Sequence, residues 1–272
     1  MNVYGDQPGY SFMMGARDES GAALTVPGPM LVLKKNEPVA ITIVNHASDR
    51  AAVHWHGIEL DSYPDGVPGW SGSGSEILPS IAAGDSLTVR FTPPRSGTFM
   101  YHSHFNEMHQ IGGGLYGPII VTDDGRAPDS TVDKILMFST AGPAKNLVIG
   151  PFPPFLMNGK AQPAPMDLVA GKTYRFRLIN IADHIPLVVS VNSGAKPAAW
   201  RAVAKDGMAL PAVQATMRPA VLVFDPGEIY DFELTAPKSG SLALTFGPPP
   251  GPPAPPDFPP PPKTITVPLR VH

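Results

Sequence analysis

Two short runs hold the residues best suited to chemistry: His54-Trp55-His56-Gly57 and His102-Ser103-His104. In a strand, residues i and i+2 point to the same side, so each run presents two imidazoles on one face. Their Cβ atoms then lie roughly 6.6 Å apart, whereas two metal–nitrogen bonds of about 2 Å bridge at most about 4 Å between nitrogens. A pair serves one ion only if its rings lean together; otherwise it feeds two neighbouring ions. Two such pairs facing each other therefore suit a cluster of metals better than one ion. Imidazoles without a thiolate favour copper or zinc over calcium or magnesium. The bland alternative is polar residues on a solvated strand face. It accounts for one such pair, but poorly for two pairs among only eight histidines.

The other candidates are weaker. His109 follows His104 by five residues, past the expected end of the strand, and is at most an adventitious ligand. His46 and His184 read as loop residues, and His272 ends the chain. Met13, Met14, Met100 and Met108 lack a clustered Met-x-Met pattern and read as core fillers. The chain has no cysteine, which excludes disulfides, thiolate catalysis and thiolate-ligated metal sites within it.

The elements that must position these residues are short and β-rich. Strand signals fall at Met30–Leu33, Val39–Val44, Ser86–Phe91, Thr98–His102 and Pro118–Val121, with period-two alternation clearest in Val39–Val44. Gly9–Met14 also carries strand-like residues. Asp123–Asp129 is polar and turn-forming and marks a boundary. The pattern resumes at Lys134–Phe138, Thr173–Ile179, Leu187–Val191, Ala220–Phe224, Ile229–Leu234 and Ser241–Phe246. Pro248–Pro262 is almost all proline and cannot pair as a ladder strand, while Thr264–Val267 reads as a closing strand. The expectation is an all-β chain of two Greek-key sandwiches. One covers residues 1–124; the other covers 131–272, with residues 248–262 as a surface insertion. Helix should be limited to short turns.

Composition fits this reading. At 272 residues two domains are comfortable, and 43% hydrophobic against 16% charged residues supplies ample core. Proline and glycine together make about 23% of the chain, against roughly 12% on average, as turn-rich β structure requires. A net charge of −3 with both signs scattered argues against nucleic acid as a partner. No apolar run approaches the roughly 20 residues of a membrane span. Met1-Asn2-Val3-Tyr4-Gly5 lacks the basic end and apolar stretch of a signal peptide, which fits a cytoplasmic, processed or trimmed chain.

From about Pro27 to Val121 the chain resembles the first cupredoxin domain of a laccase-like multicopper oxidase. The matching residues, in order, are Pro27-Gly28-Pro29, His54-Trp55-His56-Gly57-Ile58, Asp65-Gly66 and Ala83-Gly84-Asp85-Ser86. Then come Gly97-Thr98-Phe99-Met100-Tyr101-His102-Ser103-His104 and Gly114-Leu115-Tyr116-Gly117-Pro118-Ile119-Ile120-Val121. The second half is similar to the family's noncatalytic middle domain through Phe155–Lys160 and Tyr174–Asn180. The resemblance implies copper as cofactor and a periplasmic or secreted setting. By it, His54 ligates the type 2 copper, His56 and His102 share one type 3 copper, and His104 ligates the other. Asp65 matches a carboxylate near the type 2 site that relays protons; the competing reading is a plain Asp-Gly turn.

The departure from the family matters as much. Its cluster needs four further histidines, and its type 1 copper needs a cysteine, in His-x-x-His-x-His and His-Cys-His motifs absent from this sequence. The leading expectation is half of a trinuclear copper site, active as an oxidase only if a partner domain or subunit supplies the missing histidines and cysteine. A second copy of the chain could add imidazoles but no cysteine. The alternatives are a non-enzymatic copper-binding cupredoxin module for storage, delivery or assembly, and, with least support, a zinc hydrolase using three of the histidines and Asp65.

Overall fold

A computed structural model describes residues 2–4, 7–15, 25–140, 153–182, 186–251 and 262–272. His184 and residues 252–261 of the proline tract lie outside the described residues. Strand accounts for 47% of the structure and helix for 4%, so the architecture is all-β. Contacts divide the chain into residues 1–127 with 206–208, and residues 128–205 with 209–272.

In the first unit, strands β1 (Leu31–Lys34), β2 (Val39–Val44), β3 (Val53–His56), β4 (Ser86–Phe91), β5 (Gly97–Ser103) and β6 (Tyr116–Thr122) form two layers. One is the sheet β1-β6-β5-β3, parallel at β1/β6 and antiparallel elsewhere; the other is the antiparallel ladder β2-β4. Period-two alternation sends Val39, Ile41 and Ile43 inward from β2, to meet Val53, Trp55, Phe99, Tyr101, Ile119 and Val121 from the facing sheet. Burying each of these large side chains contributes about 2 kcal/mol. The core therefore dictates which residues must face the other way.

The second unit is built from β7 (Asp133–Thr140), β8 (Phe155–Met157), β9 (Met166–Leu168), β10 (Thr173–Asn180), β11 (Leu187–Ser193), β12 (Ala199–Lys205), β13 (Val221–Phe224), β14 (Ile229–Thr235), β15 (Leu242–Gly247) and β16 (Ile265–Val271). One sheet runs β8-β7-β10-β14-β12, and the other runs β9-β16-β15-β11 with β13 alongside β11. Phe138, Phe176, Trp200 and Phe232 from the first sheet pack with Val189, Leu244, Phe246 and Val267 from the second. Trp200 and Phe232 stack at 4.0 Å between ring centroids.

Several expectations need correction. Residues 9–14 form no strand. β8, β9 and β12 carried no recognised strand signal. In β12 the inward positions are Trp200, Ala202 and Ala204, and alanines make a weak β pattern. Among the four methionines read as core fillers, only Met100 is buried; Met13, Met14 and Met108 are exposed. No helix among the described residues is long and apolar enough to cross a membrane.

Candidate metal centre

Val53 and Trp55 turn into the first core, which leaves His54 and His56 on the opposite face of β3. On β5, Phe99 and Tyr101 turn inward in the same way, so Met100 and His102 face out of that core. The antiparallel register sets His54 opposite His102 and His56 opposite Met100. Alternation in two strands distant in sequence thus delivers three imidazoles to one face. His104 lies just past β5, where its backbone N–H still reaches the Ala52 carbonyl at 3.3 Å. The fourth ring is thereby kept beside the other three.

The four rings converge. His54 lies 5.4 Å, centroid to centroid, from each of His56, His102 and His104. His102 is 5.4 Å from His56 and 6.0 Å from His104. Potential ligand nitrogens of His54, His56 and His102 all fall within 4.8 Å of one another.

Three of the rings have their tautomer fixed by an oxygen. The Nδ1–H of His54 donates to the Asp65 carbonyl at 2.8 Å, that of His102 to the Ser103 carbonyl at 2.8 Å, and that of His104 to the Glu107 carboxylate at 2.8 Å. These acceptors have no proton to give, so Nδ1 carries a hydrogen, and in the neutral ring the lone pair is on Nε2. His56 differs: its Nδ1 sits 3.3 Å from His102 Nε2. That is long for a hydrogen bond. It matches the roughly 2.9–3.4 Å between two ligands on one ion with bonds of about 2 Å. Burial pushes the His102 pKa down to about 3; the Ser103 carbonyl opposes the shift, and the neighbouring imidazoles His56, His54 and His104 reinforce it. His102 is therefore neutral and ready to donate at ordinary pH.

Asp65 closes a 3-10 turn, Tyr63–Asp65, that lies directly over β3. Gly66 has φ +94°, and a Cβ there would stand 1.8 Å from the Val53 carbonyl oxygen. Only glycine allows this approach, and the approach puts the Asp65 carbonyl on His54. The Asp65 carboxylate is also near, with Oδ2 3.4 Å from His54 Nδ1. Beyond His104, helix α1 (Glu107–Gly112) carries Glu107, which sequence reasoning missed. The signals were there as an i, i+3 His–Glu spacing and as Asn106, a residue type favoured at a helix N-cap, but six residues are too few for an apolar period to mark the helix. The remaining histidines among the described residues stand apart from the patch's hydrogen bonds: His109 pairs with the Tyr10 hydroxyl at 3.1 Å, His272 with Asp167 at 2.9 Å, and His46 is exposed.

Residues 12–126 match the family model for multicopper oxidases. The first domain is a multicopper oxidase domain. Among relatives, the chain is 36% identical over 104 residues to copper resistance protein A of Escherichia coli, covering 38% of this chain and 16% of that protein. It is 30% identical over 182 residues to a laccase of Neurospora crassa, covering 59% of this chain and 28% of that one. The chain thus spans well under a third of these relatives' lengths. The blue copper oxidase of Nitrosomonas europaea has the same fold across 91% of this chain and 77% of its own, with a TM-score of 0.71 at 24% identity. Copper is the metal of multicopper oxidases, and a patch of imidazoles without a thiolate is a donor set that suits it.

Proposed function

We propose that this chain supplies half of the trinuclear copper cluster of a laccase-like oxidase. His54 would hold the type 2 copper, His56 and His102 one type 3 copper, and His104 the other. The observation that carries this is the 3.3 Å separation of His56 Nδ1 and His102 Nε2, the spacing of two ligands on one ion, with a ligand nitrogen of His54 within 4.8 Å of both. Copper, when bound, supplies the redox chemistry of oxygen reduction. The chain's own residues do the rest. The Asp65 carbonyl orients His54, the Ser103 carbonyl orients His102, and burial keeps His102 unprotonated. The Asp65 carboxylate, whose Oδ2 lies 3.4 Å from His54 Nδ1, would hold a proton for the oxygen being reduced. A partner domain, in the same polypeptide or another, would bring the other histidines and the cysteine of a type 1 site, since this sequence has no cysteine. The setting in this reading is periplasmic or extracellular.

The test is oxygen consumption with a phenolic donor. The copper-loaded chain alone should show no turnover, and addition of a cupredoxin domain bearing a His-Cys-His motif should produce it. His102→Ala should abolish that activity. Copper uptake without turnover in any such pairing would favour the non-enzymatic storage or delivery module. Robust turnover by the chain alone would sink the half-cluster reading.

A further inference from the structure

We propose that Glu107 is a positioning residue for His104: its carboxylate holds Nδ1–H and aims Nε2 into the four-histidine patch. This rests on the half-cluster reading. His54 and His102 sit within the paired ladder of β3 and β5, and each is steered by a backbone carbonyl close by in the fold. His104 lies beyond the last paired residue, its side chain one-third exposed at 33%. Without a partner its ring would sample several rotamers, so something else must fix it.

That support is built by the turn after β5. Asn106 adopts a left-handed conformation, φ 49° and ψ 55°, and so reverses the chain into α1. Buried Gln110 pins the helix: its carbonyl oxygen accepts from the Ser103 hydroxyl, and its amide donates to the Arg50 carbonyl at 2.7 Å. Glu107, on the first turn, is thereby brought back to His104 Nδ1 at 2.8 Å. A carboxylate acceptor also makes the imidazole a stronger donor than a carbonyl does, an effect seen where such partners tune metal-bound histidines. The pair is too exposed, at 33% and 44%, to contribute much to the fold. Its effect should therefore appear on the ligand.

Two measurements on the full chain test this. Imidazole nitrogen shifts in the copper-free protein should report His104 as the Nδ1–H tautomer in the wild type and in Glu107→Gln, whose amide oxygen still accepts, but not in Glu107→Ala. Copper titration against a competing chelator should show about a tenfold loss of affinity for Glu107→Ala and a smaller loss for Glu107→Gln. The loss should vanish when Glu107→Ala is made in a His104→Ala background. Glu37→Gln, which removes an exposed carboxylate from the Lys34 pair, should bind copper as the wild type does. An unchanged tautomer in Glu107→Ala, or an equal loss with and without His104, overturns the positioning role and leaves the half-cluster reading standing. A wild-type chain that takes up no copper overturns that reading, while the tautomer measurement still decides the His104–Glu107 contact.

Discussion

Two strands, one in each domain, carry basic residues at i and i+2 on a single face, and they resolve the problem in opposite ways. On β10, Arg175 and Arg177 meet carboxylates from neighbouring strands. Arg175 reaches Asp231 at 2.6 Å, and Arg177 reaches Asp133 at 2.6 Å and Asp231 at 3.3 Å. On β3, His54 and His56 face further histidines at ring separations of 5.4 Å, with Asp65 on the Nδ1 side of His54. The second domain has closed its charges among its own side chains, as structural networks do. The first gathers imidazoles that have little to offer one another but share an ion well. A polar face satisfied from within reads as structure, whereas one made of like donors facing each other reads as a binding site.

Breaking the closed network should have the largest effect on the fold. Asp231, 1% exposed, faces two arginines, so Asp231→Ala should lower unfolding free energy by about 3–5 kcal/mol in denaturant titration. A loss under about 1 kcal/mol would show that the network contributes little. Gly66→Ala should come next, at about 2 kcal/mol, through strain at positive φ and the collision with Val53. It should also weaken copper binding by moving the Asp65 carbonyl off His54, and an unchanged affinity would show that this carbonyl does not steer the ligand. The smallest effect on the fold belongs to the open site. His102→Leu should leave stability within about 1 kcal/mol of the wild type, although His102 is only 6% exposed, while copper affinity collapses. A stability loss as large as that of Asp231→Ala would mean that His102 is structural and that the contrast between the domains is false.

How far the site was legible depends on whether its cause is local. The His-x-His spacing declares that two rings share a strand face, because side-chain alternation is a property of the backbone. Strands rich in β-branched and aromatic residues, such as Val39–Val44 and Ser86–Phe91, could be read with their limits intact. β12 could not, because its inward alanines are small and its fit comes from the facing sheet.

Which pair meets which was settled elsewhere. The His54–His102 register comes from the requirement that Trp55 and Tyr101 enter one core together. Residue types and spacing therefore establish an all-β chain with two imidazole pairs and no thiolate. Tertiary packing brings the Asp65 carbonyl over β3 through Gly66, and Glu107 onto His104 through the Gln110–Ser103 bond. Those contacts join residues whose nearness depends on how loops and a short helix settle on a finished sheet, and no local propensity encodes that.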